Sequence, residues 1–140
     1  MSTVLWVNAL LDGTVTSDEM DRYAIYRHLH KLDGVCRSLG LAPLSEICDS
    51  TDMRCNVGDA ELPEGMASTN ELMARDGVWL QGAEAVALLE RLLAAVQERR
   101  IRFGVLRNDH DEVVRELSGS LAFARATASR GVRFNFAIVM

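Results

Sequence analysis

Three histidines, three cysteines and a dense run of carboxylates are the side chains of this 140-residue sequence that could do chemistry. His28 and His30 have the look of a metal pair. Two positions on a helix, however, lie roughly 200° apart, so the two rings leave opposite sides and cannot hold one ion. Cys48 and Cys55 are separated by more residues than the short knuckles of structural zinc, and no CxxC or HxxxH supplies further ligands. Cys36 falls on the apolar face of a helix and reads as a packing residue. No metal ligands are therefore assigned.

Covalent catalysis would need Cys48, Cys55 or a serine beside His110. The residues around it, "NDHDE", are good helix starters whose negative charge suits a helix N-terminus, and capping accounts for them without chemistry. GxSxG, Walker and GxGxxG signatures are all missing, and "DGVWLQG" lacks the spacing and the basic residue of a phosphate cradle. No catalytic residue and no cofactor are expected.

The remaining cluster is "SEICDSTDMRCNVGDAELPE", residues 45–64, with six acids and one base. It lacks the Asp-x-Asp-x-Asn-Gly order of a calcium loop. Glu46, Asp49, Asp52, Asp59, Glu61 and Glu64 are instead candidates for a partner-binding surface, since concentrated negative charge speeds capture of a basic protein. A solvated loop is the plainer explanation of the same residues.

Composition narrows the class. Hydrophobic residues make up 49% and charged ones 25%, which excludes general disorder and allows one domain of this size its own core. Twenty acidic against fifteen basic residues, with no basic patch interleaved with aromatics, argue against nucleic acid. The three arginines of "ERRIRF" read as partners for the end of a helix. "VLWVNALL" is too short to be a signal peptide or a membrane span, and an odd cysteine count favours reduced thiols in a cytoplasm.

Elements must then place these groups. Residues 3–10 read as a buried strand ending at "LDG". Thr16 and Glu19 have capping-box spacing, which starts a first helix there. Ile25, Leu29, Leu32, Cys36 and Leu39 continue its apolar face, with Gly40 as the cap and Gly34 as a weak point. Residues 41–78 form a long connection in which "SEICD" and "STNELMARDG" are short helical turns, and Trp79 anchors its end. A helix follows from Gly82 to about Arg99, then "IRFGVL" as an extended link or strand. A third helix, starting at Asn108 or Asp109, runs to Arg130. Phe123 stands off its main stripe beside Gly119, Ala122 and Ala126, so the helix is either buried on two sides or meets a partner, and burial within the chain is the commoner case. "VRFNFAIVM" alternates as a strand.

The expected architecture is one α+β domain over residues 1–140, a small sheet pairing the N- and C-terminal strands under about three amphipathic helices. The expected function is a cytoplasmic protein-interaction module, immunity-like or regulatory, that binds a basic partner through the acidic segment. The alternative is an enzyme or small-molecule binder with a pocket between the sheet and the 41–78 connection. A homo-oligomer through the C-terminal strand is a further expectation.

Overall fold

A β-hairpin opens the chain where the sequence suggested a helix. The computed structural model describes residues 2–140, and in it β1 (Val4–Leu11) turns directly into β2 (Thr14–Arg22). Asp12 and Gly13 carry φ of 51° and 77°, the pair of left-handed residues that lets a two-residue turn match strand twist. Thr16 pairs with Ala9 in the ladder, so the expected capping box is a strand. "TVT" is β-branched, and the hairpin turn overrides the local helix signal.

The first helix starts only at Tyr23 and is broken in two, α1 (Tyr23–Arg27) and α2 (Leu29–Ser38). The break falls at His28, whose φ and ψ of −107° and 21° leave the helical region, and not at Gly34. Ile25, Leu32 and Cys36 are fully buried, and Gly40 ends the element at φ 71° as expected. The long connection holds a 3₁₀ turn at Leu44–Ile47, a two-residue strand β3 (Cys48–Asp49), α3 (Thr51–Asn56) and α4 (Thr69–Asp76). After β4 (Leu80–Gln81) come α5 (Gly82–Glu98), α6 (His110–Thr127) and β5 (Arg133–Val139). "IRFGVL" forms no strand; it is part of the loop between α5 and α6.

The fold is α+β, and the two terminal strands pair antiparallel from Val4 opposite Val139 to Leu10 opposite Arg133. Strand order is β2-β1-β5-β3, with β4 also on β5. β3 runs parallel to β5 and the other pairs are antiparallel. β5 is thus an inner strand, and both of its edges are occupied. That corrects the expectation of self-association through the C-terminal strand: the long edge left unpaired belongs to β2.

Alternation along the strands separates two faces. Leu5, Val7, Phe134 and Phe136 join Leu89, Leu92, Leu117 and Leu121 in the main core under α1, α2, α5 and α6. The opposite face carries Asn8 and Asn135, both buried, beneath the 41–78 connection. The Asn8 amide donates to Asn135 Oδ1 at 3.0 Å, Ser17 Oγ donates to Asn8 Oδ1, and Asn135 donates to the Val78 carbonyl at 2.8 Å. This ladder fastens the connection to three strands, and every polar group in it is paired, as burial demands. Trp79 adds a second tie by donating its indole N–H to the Met73 carbonyl at 2.9 Å.

Helix α6 is buried on one side only. Gly119, Ala122, Phe123 and Ala126 line an open groove against Met20 and Arg22 of the overhanging β2. The expected second packing partner is absent among the described residues. Arg22 spans the floor, donating to Ser120 Oγ at 2.9 Å and pairing with Asp18 at 2.7 Å.

Candidate functional site

The three histidines are placed in three different chemical situations. His28, at the break between α1 and α2, turns inward: Nε2 lies 2.8 Å from Asp109 Oδ2, and the ring packs on Phe103 at 5.4 Å between centroids. His110 opens α6 with Nδ1 2.6 Å from the Ile101 carbonyl, so its ring serves the α5–α6 loop. His30, in the first turn of α2, is exposed. Among the described residues its ring has no hydrogen-bond partner.

Two cationic residues flank His30 in sequence, and both side chains are engaged elsewhere. Lys31 follows it and donates to the Arg102 carbonyl. Arg27 lies one turn earlier, over the Tyr23 ring at 4.4 Å and 3.3 Å from Asp109. Gly34 lies one turn later, and a Cβ built there would meet nothing within 4 Å. Helical geometry puts positions i and i+4 on one face, so the glycine leaves a bare step beside the imidazole. A free imidazole nitrogen is a nucleophile.

The platform beneath this surface is held by buried carboxylates. Asp109 is 5% exposed and receives His28, Arg27 and Arg107, the last at 3.2 Å. The hydrogen bond from His28, with the charges of His28, Arg107 and Arg27, holds its carboxyl below the ordinary range. Glu116 of α6 accepts the Ala24 and Ile25 amides at 3.1 and 3.0 Å and so caps α1 from outside. Burial pushes its carboxyl up despite those two bonds. Asp33 on α2 accepts the Ser45 amide at 2.9 Å, which joins the helix to the 3₁₀ turn.

The acidic segment is divided by the fold. Glu46, Asp59, Glu61 and Glu64 are exposed. Asp52 is half-buried and accepts Thr69 Oγ1 and the Asn56 amide at 2.9 and 3.0 Å. Asp49 is 3% exposed and spends both oxygens on the Thr51 and Val78 amides. It is a structural carboxylate and does not reach the surface. The cavity between the sheet and the connection, lined by Trp6, Asn8, Ser17, Thr69 and Met73, measures about 50 Å³. That is room for water and far below the several hundred Å³ of small-molecule sites.

"ERRIRF" does not serve the end of α5 with its guanidiniums. Backbone amides of Arg99, Arg100 and Ile101 close the last turn. Arg99 donates to Ser38 Oγ, and Arg102 donates to the Gly104 and Val105 carbonyls.

Sequence reasoning weighed His30 only as half of a metal pair. The signal that singles it out was present: a histidine on the polar side of an amphipathic helix, next to Lys31 and one turn before a glycine. Its partner His28 had to be shown turning inward before His30 stood alone.

No curated protein and no solved structure matches the chain significantly. The family model of the Hpt domain matches residues 7–100, a span from β1 to just past α5 in which α1, α2 and α5 pack together and which contains His28 and His30. Histidine phosphotransfer is the role of that family, in signalling through contacts with other proteins. With the matched span covering most of its length, the chain belongs to the Hpt domain family.

Proposed function

We propose that the protein is a histidine phosphotransfer module in which His30 carries the phosphoryl group. One observation carries the choice of residue: His30 is the exposed histidine with an unengaged ring, while His28 and His110 spend a nitrogen on Asp109 and on the Ile101 carbonyl. In the step itself, a neutral His30 nitrogen attacks the phosphorus of an acyl phosphate on a partner. The N–P bond forms, the P–O bond to the partner's carboxylate breaks, and that carboxylate leaves with the electron pair. The ring proton stays on the other imidazole nitrogen. The bare step at Gly34 leaves room for the partner's backbone.

The test is labelling of the full chain with phosphoramidate and with phosphorylated receiver domains. Acid-labile, base-stable phosphate should appear on the wild type and on His110→Gln, and vanish in His30→Gln. Label that survives in His30→Gln rejects the assignment.

A second reading concerns partner choice. Glu46, Asp59, Glu61 and Glu64 project from the connection with Asp52 at their edge, a charge distribution that suits a basic protein surface. Asp49 takes no part, because it is buried. Changing the four exposed acids to amides should slow association with a basic partner and flatten its salt dependence. An unchanged association rate removes this reading.

A further inference from the structure

Val105 and Leu106 are 91% and 99% exposed, adjacent, and mounted on a loop that has no freedom to hide them. Isolated exposed aliphatics are ordinary; two neighbours presented by a braced turn are not. The bracing is dense. Phe103, fully buried, roots the loop in the core. Its amide donates to Asn108 Oδ1 at 2.9 Å, and its carbonyl accepts the Asp109 amide at 2.7 Å. The Arg102 guanidinium ties the Gly104 and Val105 carbonyls from outside at 2.9 and 3.0 Å. The loop is thus held by its own hydrogen bonds, and preorganisation of this kind lets exposed apolar side chains yield more affinity.

The base of this loop packs on the residues that flank the start of α2. Lys31 reaches the Arg102 carbonyl, the His28 ring lies on Phe103, and Arg27 reaches Asp109 at the far end of the loop. The 102–109 loop therefore packs on the α1–α2 junction, and His30 follows that junction in the first turn of α2. Along the chain, residues 99–107 hold four arginines and no acid, while the whole protein carries −5; Arg107 is paired with Asp109 and Glu112. The tip also lies beyond residue 100, outside the span matched to the family.

We propose that Val105 and Leu106 form the docking tip for the protein domain that exchanges a phosphoryl group with His30, and that this domain offers an apolar slot rimmed by carboxylates. The proposal rests on the assignment of His30 above and adds the element that selects the partner. Apolar contact supplies affinity, and the cation of Arg102, which meets carbonyls and no carboxylate, favours an acidic rim. The acidic segment at 45–64 is a separate surface, suited to a partner of the opposite charge.

The test compares wild type with the double variant Val105→Ser, Leu106→Ser in the full chain, using two phosphoryl donors. One is phosphoramidate, too small to need docking. The other is a panel of purified, phosphorylated receiver domains from the source genome. The expected result is equal labelling by phosphoramidate and at least tenfold slower transfer from the receiver that serves the wild type. Equal rates with both donors overturn the docking tip and leave His30 standing. Phosphoramidate labelling with no transfer from any receiver also overturns it. If neither donor labels the wild type, the His30 assignment fails and the tip falls with it. Vesicles of phosphatidylglycerol are the third probe: tip-dependent sedimentation with them, with transfer unchanged, assigns the two side chains to a lipid surface instead.

Discussion

Asn8 and Asn135 face each other across β1 and β5, and the amide of one donates to the carbonyl oxygen of the other at 3.0 Å with both side chains buried. Asn135 also holds the Val78 carbonyl at 2.8 Å, so a single side chain joins the sheet to the end of the long connection. Changing Asn135 to Ala orphans the Asn8 amide and the Val78 carbonyl together. The expected cost is about 2–3 kcal/mol by urea unfolding, the penalty of buried polar groups left unpaired. A loss below about 0.5 kcal/mol would mean that the groups find other partners.

Asp109 gives the acid limb of stability its shape. Its carboxyl is held below the ordinary 3.8 in the folded protein, chiefly by His28. A group depressed on folding adds stability that is complete above its unfolded value and fades as pH falls through the folded one. Asp109→Asn should therefore lower stability near neutrality, and the gap to wild type should narrow below pH 3.8. A gap independent of pH, measured by denaturant unfolding from pH 2 to 7, would contradict this.

Glu116 has the opposite sign. Burial raises its carboxyl above the ordinary 4.5, so the ionised form is the costly one and the contribution of this group falls as pH rises through the folded value. Glu116→Gln keeps an acceptor for one of the Ala24 and Ile25 amides and removes the charge. It should cost little at pH 7, whereas Glu116→Ala uncaps α1 and should cost about 1–2 kcal/mol. Thermal unfolding of the two variants side by side reads the difference, and equal losses would show that the cap contributes nothing.

Cys48 should resist thiol reagents. Burial, with Asp33 and Asp49 nearby, pushes its thiol up to about 12, and burial also raises Cys36. Because the thiolate is the reacting form, alkylation of the native protein at pH 8 should spare both until the chain is unfolded. Rapid native modification of Cys48, located by mass spectrometry, would contradict the packing around it.

Regular periodicity is legible in the sequence alone. The alternation of "VRFNFAIVM" gave β5, the stripe of Ala85, Leu89, Leu92 and Val96 gave α5, and the pairing of the two terminal strands followed from their shared apolarity. The hairpin was misread because Thr16 and Glu19 mimic a helix start, while the evidence against them lay in the φ values of Asp12 and Gly13. Of the six acids expected at a surface, Asp49 was taken inward by the amides of Thr51 and Val78, residues 2 and 29 positions away. Charge density alone could not separate it from Glu46.

By itself, then, the sequence determined the class of the fold, its two strongest strands and its longest helices, because hydrophobic period is a local property that each segment carries alone. Tertiary structure decided which polar residues remain available. His28 went to Asp109 and Asp49 to Val78, partners 81 and 29 residues away, while His110 took the Ile101 carbonyl nine residues back. His30, Val105 and Leu106 were left to solvent by the same process. An exposed surface of this kind is what remains after the other polar groups have found partners, and a short window of neighbouring residues does not contain that information.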